Sequence, residues 1–126
     1  MGVSAIDDCL PSVTSDRMKK IMKNSKREHE EIRLRVADLL REYHDDKNTD
    51  NPLITGMSHA KTMISLAMNS SDHHIASLMI DGCNMGVKSL SKYLNEYAAA
   101  SEYSKDVAKK LITVEETLSH DLRDYL

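Results

Sequence analysis

Glu28, His29 and Glu115 are the side chains in this sequence with types and positions suited to chemistry inside a helical protein. Placed on a wheel at about 100° per residue, Glu115 falls between Leu111, Leu118 and Leu122, inside an apolar stripe. Glu28 and His29 interrupt a second stripe between Ile21 and Ile32, with Ser25 beside them. A buried carboxylate without a partner costs several kcal/mol, so something must compensate Glu115. Four compensations remain open: a divalent metal ion, a proton shared with Glu28, hydrogen bonds from His29 or a Tyr, or Arg35 reaching inward. For a metal, the candidate ligands are Glu28, His29 and Glu115, with His59 as a further candidate at the edge of its apolar face. The other histidines fall outside the central layer. His120 lies on an outer face, His73 and His74 in a first helical turn, and His44 at a helix end.

Four helices must position these residues. Residues 1–13 read as a flexible leader ending near Pro11, and residues 14–126 as one helical bundle. The first bundle helix is expected over about 15–44, with Thr14 to Asp16 as capping residues and an apolar stripe of Met18, Ile21, Ile32, Val36, Leu39 and Tyr43. The second is expected over 52–69, opened by Asn51 and Pro52. The third spans about 72–100 behind a Ser71 or Asp72 cap, and the fourth 103–126 behind Ser101 to Ser104. Strand signals are absent: no run alternates with period two. Short connections make sequential helices antiparallel, which gives an all-α, up-down-up-down four-helix bundle. In such a bundle helix midpoints meet, so Glu28, His29 and Glu115 share one layer with the small inward residues Gly82 and Gly86. The Gly-x-x-x-Gly spacing lets a facing helix approach closely.

The same third helix carries a second apolar seam, Ile80, Val87 and Leu94, spaced by sevens. Either a neighbouring helix of the same chain covers this flank or a second copy does, forming a homodimer.

Composition narrows the function classes. At 126 residues there is room for one core. The interior must be filled by Leu, Ile, Val and eight Met, because Phe and Trp are absent. A net charge of −3 argues against nucleic acid, and the basic run Arg17, Lys19, Lys20, Lys23, Lys26 and Arg27 reads as a solvated helix face. No apolar run suits a membrane span, and no signal peptide is visible. Cys9 and Cys83 make no disulfide framework, so the expected compartment is a reducing cytoplasm. Hydrolase and phosphate-loop motifs are missing. The only approach to a histidine phosphotransfer motif is His44-Asp45-Asp46-Lys47, at a helix end.

The run Leu78-Met79-Ile80-Asp81-Gly82-Cys83-Asn84-Met85-Gly86, followed by Ala108-Lys109-Lys110-Leu111-Ile112 and Glu115-Glu116, resembles short uncharacterised bacterial proteins of the Clostridium group with a ferritin-like fold. His29-Glu30-Glu31 extends the resemblance to the first helix. It implies the scaffold. It does not bring a di-iron centre, which takes Glu-x-x-His on two helices. No Asp or Glu of this chain has a His three residues later, and the second helix has no carboxylate. The sequence therefore points to a non-enzymatic helical bundle acting through self-association or an unidentified protein partner, without a cofactor. The alternative is a small metal-binding protein holding one divalent ion in the mid-bundle Glu/His layer.

Overall fold

The structure is a computed structural model and describes residues 3–42, 71–96 and 101–126. Those residues form four α-helices: α1 (Val3–Cys9), α2 (Asp16–Glu42), α3 (Asp72–Glu96) and α4 (Glu102–Leu122). Short 3₁₀ turns follow α1 at Leu10–Ser12 and α4 at Arg123–Tyr125. Among the described residues there is no strand. The helix expected over 52–69, with His59, lies outside the described residues.

Each long helix starts where its sequence supplies a cap. The Ser15 hydroxyl accepts from the Met18 amide, Ser71 from His74, and Ser101 from Ser104. Asp16, Asp72 and Glu102 then place a negative charge in the first turn, where the helix dipole favours it.

The buried faces follow alternating steps of three and four. In α2 they are Met18, Met22, Ser25, His29 and Ile32; in α4, Ala108, Glu115, Leu118 and Leu122 are buried, with Leu111 half-buried between them. The corresponding row in α3 is Ala76, Met79, Cys83, Gly86 and Leu90, of which only Gly86 is half-buried. This seven-residue pattern keeps one seam facing its neighbours along a whole helix. It also corrects one position of the expected α2 stripe: Met22 is buried and Ile21 only half-buried, while the expected Met18 and Ile32 are buried. The expected stripe residues Val36, Leu39 and Tyr43 are not among the described side chains.

Residues 3–13 differ from the expected flexible leader. Ile6, Cys9 and Val13 are buried in the main core cluster with Met18, Met22, Ile75, Met79, Cys83, Leu118 and Leu122. The physical reason is burial: Ile6, Cys9, Leu10 and Val13 recur at helical spacing, and docking removes that face from water. Lys26 in α2 holds Asp7 of α1 at 2.7 Å.

Polar contacts set the directions of the helices. The Asp72 carboxylate at the start of α3 accepts from the Thr14 amide and hydroxyl and from the Ser15 amide, at the start of α2, over 2.8–2.9 Å. Arg17 at the start of α2 reaches Asp124, and the His73 ring donates to the Tyr125 carbonyl, both just past the end of α4. So α2 and α3 run the same way, and α4 runs against both.

Partial burial pushes the Asp72 carboxyl up, but the hydrogen bonds from Thr14 and Ser15, with the Lys19 charge, outweigh this and hold it below the ordinary value of 3.8. A carboxylate with a depressed folded pKa stabilises the fold fully above its unfolded pKa and loses that contribution as pH falls through the folded value. Asp72→Ala should therefore cost about 1 kcal/mol near neutral pH, the size of a lost cap. The gap between variant and wild type should close as pH drops below 3.8. Urea titrations across pH check this, and a gap independent of pH would contradict it.

Candidate functional site

His29 lies in the middle of α2 and Glu115 in the second half of α4, each at a seam position. Their side chains are 4% and 2% exposed, and His29 Nε2 stands 2.7 Å from Glu115 Oε1. The other ring nitrogen is also engaged. Nδ1 is 2.7 Å from the Ser25 carbonyl oxygen and 3.2 Å from the Ser25 hydroxyl. A carbonyl oxygen can only accept, so Nδ1 carries a hydrogen and donates it to Ser25. That assignment fixes the rest. One proton lies between Nε2 and Oε1, either on the ring, giving an imidazolium–carboxylate pair, or on the carboxyl, giving a neutral pair. Both forms satisfy the two facing atoms.

Glu115 Oε2 is the exception, buried without a hydrogen-bond partner among the described residues. The nearest donor in kind comes from α3. Burial pushes the Cys83 thiol far above its usual range. The neighbouring Glu115 carboxylate pushes it the same way. An S–H is a weak donor, and Oε2 is the least satisfied polar atom of the layer among the described residues. Cys83 is fully buried. Nothing in the spacing of the sequence linked it to Glu115. Its row was the only signal: Cys83 belongs to the same α3 seam row as Gly86 and is the row's member nearest the mid-bundle layer.

Not every expected member joins the layer. Of the two expected α2 members, His29 is buried in the pair, while Glu28 is half-buried and outside it. Of the four compensations open to Glu115, the one seen among the described residues is the hydrogen bond with His29. Arg35 is exposed and does not reach inward. Gly82 is buried and Gly86 half-buried. Ile80 packs against the core of its own chain, while Val87 and Leu94 are half-buried. Among the described residues, no three His, Cys, Asp or Glu side chains are arranged to hold a metal ion, and no helix is long and apolar enough to cross a membrane.

No family profile, curated protein or solved structure matches the chain. The chemistry of the layer therefore rests on its own geometry. That geometry is closed: the imidazole spends both nitrogens on protein atoms, and the acid that faces it is shielded from solvent.

Two outcomes follow from the pair and its neighbour. Removing one member of a buried pair strands the other, so His29→Leu and Glu115→Leu should each cost about 3–5 kcal/mol. The double variant should cost well below their sum, since two apolar groups then face each other. Denaturant unfolding of the four proteins measures the coupling, and strict additivity would show that the two side chains do not interact. The thiols should be inert in the folded chain, because the thiolate is the reactive form. Burial, with the Asp8 charge, lifts Cys9 to about 11, and Cys83 is raised as well. Alkylation at pH 8 should proceed only as the chain unfolds in urea. Rapid labelling of either thiol under native conditions would contradict the packing.

Proposed function

We propose that this chain is a non-enzymatic helical bundle that acts by associating with a second copy of itself or with a protein partner. The observation that carries this reading is the closed His29–Glu115 pair. His29 spends both ring nitrogens on Ser25 and Glu115, and the one polar atom of the pair left over among the described residues, Glu115 Oε2, is buried away from solvent. Their role is to hold α2 and α4 in register. The arrangement proposed is the antiparallel up-down-up-down, ferritin-like one, whose expected second helix over 52–69 lies outside the described residues. Two buried, unpaired thiols suit a reducing cytoplasm. Activity is then a matter of surface, and the α3 flank with Val87 and Leu94 is the proposed contact.

Light scattering at micromolar concentration tests the self-associating form. A dimer that Val87→Glu dissociates without loss of helix content is the expected result. A strict monomer for the wild type removes self-association through this flank.

A second reading is favoured by one atom. Glu115 Oε2, buried and without a hydrogen-bond partner among the described residues, could be completed by a divalent ion held with His29. Such an ion needs the carboxylate ionised and Nε2 free of its proton, so the Nε2–Oε1 hydrogen bond must open, and water or other groups must supply further ligands. On this reading added zinc or manganese raises the melting temperature, and Glu115→Leu abolishes the rise. An unchanged melting temperature at saturating metal excludes it.

A further inference from the structure

We draw no further inference here: the strongest candidate, the Cys83 thiol set against the buried His29–Glu115 pair at mid-bundle, belongs to the site already described, and among the described residues no third ligating group is arranged with that pair to hold an ion.

Discussion

The hydrogen bond between His29 and Glu115 is the constraint on which the interior depends. A carboxylate removed from water needs compensation close by, and at 2.7 Å the imidazole supplies it. The imidazole is itself fixed, because the Ser25 carbonyl one turn earlier takes the Nδ1 hydrogen. The chain of dependence thus runs from backbone to ring to carboxylate, and each link selects the geometry of the next. A slide of α4 by one turn, about 5 Å, would part Nε2 from Oε1 and leave two buried polar groups unsatisfied. Apolar seams alone tolerate such slides, since one Leu replaces another. The polar pair does not, and so it selects a single register for α2 against α4.

Around that layer the structure divides into two apolar regions. On one side Ile6, Cys9, Met18, Met22, Ile75, Met79, Leu118 and Leu122 form the larger core. On the other, Ile32 and Val107 pack with Leu111 and Val114. The larger core is closed by α1 and by a polar end in which Asp72 joins the starts of two parallel helices. Parallel neighbours place two positive dipole ends side by side, and the Asp72 carboxylate, carried in the first turn of α3 and accepting from Thr14 and Ser15 at the start of α2, offsets them. Arg17, Asp124, Ser15 and Tyr125 tie the end of α4 into the same cluster. The two polar groupings act at different depths: one fixes register inside, the other fixes which ends meet.

Much of this was legible in the sequence. The helical nature of 16–42, 72–96 and 102–122 followed from spacing and from Ser caps, and Glu115 stood out as an acid on an apolar face. His29 was visible for the same reason. Its role was harder to see, because an ideal wheel drifts against a seven-residue seam. Over the length of α2 that drift was enough to favour Ile21 over Met22 and to leave Glu28 beside His29 in the expected layer. The short helix α1 was missed although Ile6, Cys9, Leu10 and Val13 keep helical spacing. Seven residues are too few for a helix to be stable alone, and only docking onto the core, a tertiary effect, makes this one form. The pairing of Cys83 with Glu115 is likewise tertiary, set by where α3 and α4 cross.

The account's central claim is that His29 is locked with Nδ1 protonated and directed at Ser25, and with Nε2 facing Glu115. Nuclear magnetic resonance of protein labelled with ¹⁵N-histidine reads the protonation of both ring nitrogens directly. The account predicts a His29 Nδ1–H that exchanges slowly with water, and an Nε2 signal that changes when Glu115 is replaced by Gln. A His29 ring with a bare Nδ1, or one exchanging as fast as the exposed His73 and His74, would contradict it.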